Sequence, residues 1–362
     1  MVDGLLATLE AAGAVLVDVG AGGGVTVRGT HPAVTVTDLS APDAPDTDLG
    51  AISGEPDVLV ALNLALAPAP VVVDIARSAG GGVPTVVVVH RSGPDATATF
   101  PRLLVRVAAD ADAAVAEVVA GPDVDALVVP VTELDVADAG RLGFLHVQLL
   151  GRRAWQIGLQ ASRVGRDATL TSAAVSLGGD YARLRTDSAL AGAGGTSNLL
   201  AAWFADGTQV HDLRTVQHHQ APQATSDLYF KGAVANRSRS VYTGLIRVEK
   251  GARGTNAFQT NRNLVLHSGA HAESVPNLEI EDNDVRCSHA SAVGPIEADQ
   301  RFYLEARGVP TDVAERLIAL GFVDEVLRRL PVPAAVAPLR LAIAAKLDEA
   351  EALERDLTGV GA

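Results

Sequence analysis

The chain has 362 residues, 48% of them hydrophobic, 20% charged and only 4% aromatic, so a disordered chain is excluded and a core of Ala, Val, Leu and Gly is expected. Twenty-nine Lys and Arg against 43 Asp and Glu leave a net charge of −14, which repels phosphate backbones and argues against general nucleic-acid binding. The single cysteine, Cys287, excludes an internal disulfide, a zinc site with two or more Cys ligands, and a four-thiolate iron–sulfur site supplied by this chain alone.

The opening Met-Val-Asp-Gly lacks the positive start of a signal peptide. The uncharged stretch Val58 to Val73 is broken by Asn63, Pro68 and Pro70 and is shorter than the ~20 residues of a membrane helix. A soluble, cytoplasmic protein is expected. Residues 4–12 carry a short helical pattern in Leu5, Leu6 and Leu9. Two Val-rich runs follow, on either side of the glycine cluster Gly20–Gly24. Gly20 and Gly22 fit a dinucleotide fingerprint, but Val25 holds its third glycine place and an alternating run follows where a helix is required. The cluster at Gly192–Ser197 fails in the same way, and both read as turns.

Residues 38–57 are rich in Asp, Pro and Ser and read as a linker. Asp57 to Leu66 has helical spacing. Strand patterns occupy Val71–Ile75, Thr85–His90, Leu103–Val107 and Val124–Val131, and the Ala-rich run Asp110–Val119 is expected to be a helix. Between Gly165 and Gly294 short alternating runs recur, each introduced by a small or polar turn, with no helical stripe between them. That argues against a βαβ sheet and suits a sandwich or a parallel β-helix; few aromatics and many small residues favour the β-helix.

After Pro295 the period changes to 3.6. Glu297–Arg307 is helix-compatible, and Thr311 is expected to cap a second helix with Asp312 in its first turn. Val313, Leu317, Leu320, Val323, Leu327 and Leu330 would form its apolar face, with Phe322 and Val323 extending it towards a partner. A last helix is expected from Leu339, carrying Ile343, Leu347, Ala350 and Leu353 on one side. Three parts result: an N-terminal segment (1–57), a β core (58–294) and a helical C-terminal domain (295–362).

The blocks Val241-Tyr-Thr-Gly-Leu-Ile-Arg-Val, Ala257-Phe-Gln-Thr-Asn-Arg-Asn-Leu-Val-Leu, Pro276-Asn-Leu-Glu-Ile, Asp284-Val-Arg-Cys-Ser-His-Ala-Ser-Ala-Val-Gly and Phe302-Tyr-Leu-Glu-Ala-Arg-Gly stand in an order and spacing that resemble the SufB/SufD family, the scaffold subunits of the Suf iron–sulfur cluster assembly machinery. The likeness weakens towards Val58, and residues 1–50 differ from the helical N-terminal region of that family. The run at 284–289 is similar to SufD; SufB-type chains carry a Glu where Ala290 stands, and a further cysteine near 262–266. The resemblance implies a mainly β protein with a right-handed parallel β-helix core, C-terminal helices that dock an ATPase, and a non-enzymatic role in a complex with a SufB-type paralogue and two copies of the ABC ATPase SufC. It also implies an iron–sulfur cluster held transiently within the complex only, and it leaves open whether the chain alone forms a homodimer.

Cys287 and His289 are two apart in a strand-like run and share a face, and thiolate and imidazole both ligate iron, so together they make a candidate half-site at the heterodimer interface. The alternative is a small buried hydrophobe beside a strand histidine. Gly269 between His267 and His271 argues for a turn, not a two-His helix face. The adjacent His218 and His219 read as core or turn residues, and Asp282 with Asp284 as a solvated turn. Two competing functions remain open: a β-helix enzyme acting on carbohydrate, which needs a carboxylate cleft, and a SufB-like homodimeric scaffold.

Overall fold

The computed structural model describes residues 1–53, 57–78 and 82–358; residues 54–56 of the expected linker lie outside the described residues. From Val71 to Gly294 the chain winds as a parallel β-solenoid of about eight turns, each coil laying one strand into each of two facing sheets. In one sheet Tyr181 stands beside Val210, and Val210 beside Arg239, so a coil takes 29 residues there. The other sheet stacks Thr196 on Thr225 in the same parallel fashion.

One corner of the coil is built alike from turn to turn. Asp110, Ala139, Asp167, Gly194, Gln223 and Gly254 each adopt the left-handed conformation, with φ between 54° and 73°. The N–H of each donates to a carbonyl in the corner of the next coil, as from Ala139 to Arg166 and from Asp167 to Ala193. The glycine cluster at 192–197 is one of these corners, as its turn reading expected. Stacking satisfies backbone groups that a lone turn would leave to water.

The early coils are filled by aliphatic side chains and the ring of Phe144, with Val115, Phe144 and Leu170 of one sheet meeting Val105, Leu134 and Val136 of the other. Later coils hold the large rings. Trp203, Phe230 and Tyr242 pack edge to face, with centroids 6.3 and 5.4 Å apart, and a Cβ at Gly232 would collide with the Trp203 ring. At the N-terminal end Val15–Val19 adds a parallel strand to Thr85–Arg91, while the short strands Val25–Arg28 and Val34–Asp38 pair antiparallel and finish the two sheets.

Among the described residues five α-helices flank this core: α1 (Val2–Ala11), α2 (Val58–Leu66), α3 (Ala298–Glu305), α4 (Thr311–Leu327) and α5 (Val336–Thr358). Leu5 and Leu9 of α1, Val323 and Leu327 of α4, and Ile343 and Leu347 of α5 cover the outward face of one sheet at Val87, Ala116, Leu145 and Leu200. On the other sheet Asp57 caps α2, and the amide of Asn63 donates to the carbonyls of Pro101 and Val129. Beside it the buried Arg102–Glu133 pair anchors the linker, because Glu133 also accepts from the backbone N–H groups of Gly50, Ile52 and Ser53. Among the described residues no helix is long and apolar enough to cross a membrane.

Three expectations are corrected. Asp112–Ala120 is a strand, not a helix, because it is paired on both sides by Thr85–Arg91 and Arg141–Leu149. Thr311 does not cap α4: Pro310 occupies that place, and the Thr311 hydroxyl donates to Glu305 instead. The apolar stripe of α4 divides, with Val323, Leu327 and Leu330 buried and Val313 and Leu317 exposed. Phe322 lies under the ammonium of Lys231, 4.4 Å from its ring centre, so neither it nor Val323 extends the exposed face.

Candidate functional site

The last coil consists of His271–Ile280 and Val285–Gly294, and each strand is paired on one side only. Two ten-residue edges therefore present unpaired backbone groups at the C-terminal end of the solenoid. Apolar side chains beside them, Leu278, Ile280 and Val293, are exposed. The C-terminal helices do not close this end; they pack on the flank, where Tyr229 and Lys231 both bond Glu325 of α4 at 2.6 Å.

Cys287 and His289 lie on the edge strand Val285–Gly294, with Cys287 next to Ala257 and His289 next to Gln259 in the ladder. Their alternate spacing puts them on one face, as expected. Cys287 is half-buried against Ile246, Val248, Ala252 and Ala257. Burial pushes its thiol up, against the smaller opposing effect of a backbone hydrogen bond from Ala257. The thiol therefore stays protonated until a metal or a positive group displaces the proton. His289 is exposed. Among the described residues no group of three or more His, Cys, Asp or Glu is placed to hold a metal ion. One thiol and one imidazole suit iron chemically, but they are half of a four-ligand set.

Beneath this strand lies a row of buried amides that the sequence reading passed over. Gln259, Asn261 and Asn263 occupy successive inward positions of Thr255–Val265. The Gln259 amide donates to the Tyr242 hydroxyl at 2.5 Å, which stands 2.9 Å from Thr215 Oγ1; Asn263 Nδ2 donates to Asn261 Oδ1 at 2.7 Å. Among the described residues Gln259 Oε1, Asn261 Nδ2 and Asn263 Oδ1 have no hydrogen-bond partner. The signal was present in the alternation of Gln-Thr-Asn-Arg-Asn, where every second residue is an amide.

The other candidates are absorbed by structure. His218 pairs with Glu249 at 2.7 Å, and buried His219 lies 2.8 Å from the Ser226 hydroxyl. His267 sits in a turn, accepting from the Asn236 N–H, and His271 pairs with Glu273. Asp282 accepts from the backbone of Gly251 and Asp284, which makes it a turn residue. An open depression of about 510 Å³ surrounds the exposed Trp155, but the Trp155 indole donates to Asp180 and Arg153 lies 3.5 Å from Asp125. Both of its carboxylates are engaged, so it offers no acid–base pair for glycoside cleavage.

The fold is that of a parallel β-solenoid protein with flanking C-terminal helices, and Cys287 and His289 lie on its last edge strand. Residues 89–322 match the family described as SUF system FeS cluster assembly, SufBD core domain, and the chain belongs to that family. It is 37% identical over 231 residues to an iron–sulfur cluster assembly SufBD family protein of Mycobacterium tuberculosis, covering 62% of this chain and 58% of that one. It is 34% identical over 167 residues to the iron–sulfur cluster assembly protein SufD of Escherichia coli, covering 46% and 40%. With SufD of Bacillus subtilis it shares 32% over 126 residues, covering 35% and 29%. The chain thus spans less than two thirds of the length of each of these relatives.

Proposed function

We propose that this protein is a SufD-like, non-catalytic scaffold subunit that pairs through its open end with a SufB-type subunit and takes part in building an iron–sulfur cluster as cargo. The observation that carries the reading is the position of Cys287 and His289 on an unpaired edge strand, where a second chain completes both the sheet and the ligand set. The likeness to SufD of two bacteria supports the subunit type, and so does Ala290 in the place of the SufB-type Glu. In this reading residues 58–294 are the scaffold core and residues 295–362 dock a SufC-type ATPase, with the exposed Phe302, Tyr303, Val313 and Leu317 as the contact surface. The complex works in the cytoplasm.

The test is co-expression with a SufB-type subunit and a SufC-type ATPase, followed by purification through a tag on this chain. All three should elute together, and iron and sulfide should be retained only in the full complex. Replacing Val293 on the edge strand by Pro should abolish pairing without unfolding the solenoid, because a proline ring cannot join a new ladder. Normal pairing of the folded Val293→Pro variant would move the interface elsewhere.

A further inference from the structure

Gln259 is the member of the buried amide row that the ladder sets directly against a candidate ligand. On the inward face it stands between Leu228 of the preceding coil and His289 of the edge strand, each one strand spacing of about 4.8 Å away. One end of its amide is built in. It meets the Tyr242 hydroxyl, itself 2.9 Å from Thr215 Oγ1, and a Cβ at Gly244 would collide with both the amide and the hydroxyl. The other end, Oε1, is buried and has no partner among the described residues, which is costly for an acceptor. Turning the amide over does not satisfy that end: a hydroxyl donates as well as accepts, so the unpaired acceptor becomes an unpaired donor. Asn261 cannot fill the gap either. Its unpaired Nδ2 and Gln259 Oε1 are complementary, and both lacking a partner places them beyond hydrogen-bond reach of each other. Leu228 and Ala257 carry no polar side-chain atom, so His289 is the polar neighbour left on this face.

We propose that Gln259 accepts a hydrogen bond from a ring N–H of His289 and so presents the other imidazole nitrogen, with its lone pair, to iron at the paired edge. The proposal deepens the scaffold reading above and rests on it. A neutral imidazole has one N–H and one lone pair, and the nitrogen that ligates is chosen by what the other one donates to. An amide with its carbonyl end unclaimed, as here, makes that choice correctly. A flipped amide would donate to the ring and leave the outer nitrogen carrying the proton. Exposed His289 can turn onto the amide, whereas Gln259 is held by Tyr242. Gln259 is thus a positioning residue: it touches no iron and acts through the imidazole.

The test compares wild type with Gln259→Met, which keeps the side chain's length without the acceptor, Gln259→Glu, an acceptor at both ends, and His289→Ala. Nitrogen NMR of the full chain alone reads the His289 tautomer, and the rate of iron loss to a chelator is read on the co-expressed complex, with melting temperature as the folding control. Wild type should show a single tautomer, the Met variant a mixture, and the Glu variant the wild-type tautomer. Iron should leave the Met complex about tenfold faster than wild type, the low end for losing the outer partner of a metal-bound histidine. Adding Gln259→Met to His289→Ala should speed iron loss no further, because Gln259 acts through the ring. A packing role predicts the wild-type tautomer and wild-type iron loss in the Met variant, which fills the same space; that result, or mixed tautomers in the wild type, overturns the proposal. If the Met variant fails to fold, the wild-type and Glu spectra decide, and a mixture in either overturns it. His289→Ala separates the two levels: faster iron loss there with none in Gln259→Met removes only this inference, whereas wild-type iron loss in His289→Ala removes the ligand role on which the scaffold reading stands.

Discussion

Lys346 of α5 places its ammonium 2.6 Å from Asp206 Oδ1 at the corner that follows Thr196–Ala205, and both side chains are buried. Gln209 also accepts from Lys346, while Arg152 closes on the second Asp206 oxygen at 2.7 Å. Burial alone would raise the Asp206 carboxyl, but the two cations hold it below its usual range; the Lys346 amine is pushed down to about 8, chiefly by burial. The C-terminal helix is therefore bolted to the solenoid by charge as well as by its apolar face.

Replacing Asp206 by Ala leaves a buried ammonium with only Gln209 for company. A loss of about 3 kcal/mol is expected, the scale for removing one partner of a buried pair. Urea unfolding should show it. A smaller loss, about 1 kcal/mol or less, is expected for Glu325→Ala at the Lys231 contact, because Glu325 is mostly exposed and its attraction is screened.

Stability should fall in acid. Burial lowers the pKa of His211 to about 3 and that of His219 to about 4, below the ordinary 6.5. Between those values the unfolded chain binds more protons than the folded one, so stability rises with pH through this window and is lost on acidification. From pH 7 to 4.5 the two histidines account for on the order of 5 kcal/mol. Glu117 acts in the same direction: burial opposes its ionisation, but the hydrogen bond to His146 at 2.8 Å and the His90 ring 3.4 Å away overcome that and hold it well below the usual carboxylate range. Urea midpoints measured against pH should show a shallower slope in His219→Gln; an unchanged slope would remove His219 from the account.

Cys287→Ser and His289→Ala should each weaken retention of iron and sulfide in the co-purified complex about tenfold, while the subunits still assemble. Iron and sulfide analysis of the eluted complex is the check. Wild-type content in both variants would return Cys287 to the role its apolar contacts already give it, that of a small core side chain.

Leu317 lies half exposed on the first turns of α4, away from the face that packs on the solenoid. Leu317→Asp should leave the melting temperature unchanged and weaken ATPase binding roughly tenfold, about 1.4 kcal/mol, as measured by calorimetry. Wild-type affinity would place the ATPase on another surface.

The strands of the later coils were legible because Tyr181–Leu190 and Arg239–Val248 have one face in the interior and the other open to solvent, so their polarity alternates. Asp112–Ala120 misled for the opposite reason. Val115 faces the interior while Ala116 and Val118 lie under the C-terminal helices, and with both faces buried the alternation vanishes and alanine's helix propensity dominates the reading. Cys287 and His289 were found through a motif, whereas the alternating amides Gln259, Asn261 and Asn263 were passed over because their burial shows only in the packing. The N-cap of α4 was misassigned because threonine favours that position, yet Pro310 already carries the extended backbone that starts the helix.

The two ends of the solenoid differ in reach. At the N-terminal end the outermost strands have four and five residues and run against their neighbours; at the other end both outermost strands have ten. Short edges recruit poorly and long ones well. Two such bodies meeting at their long edges leave only stubs at the far ends, so the contact uses up what it needs in order to repeat. Pairing of the long edges would thus join two bodies once and leave no equal edge for a third.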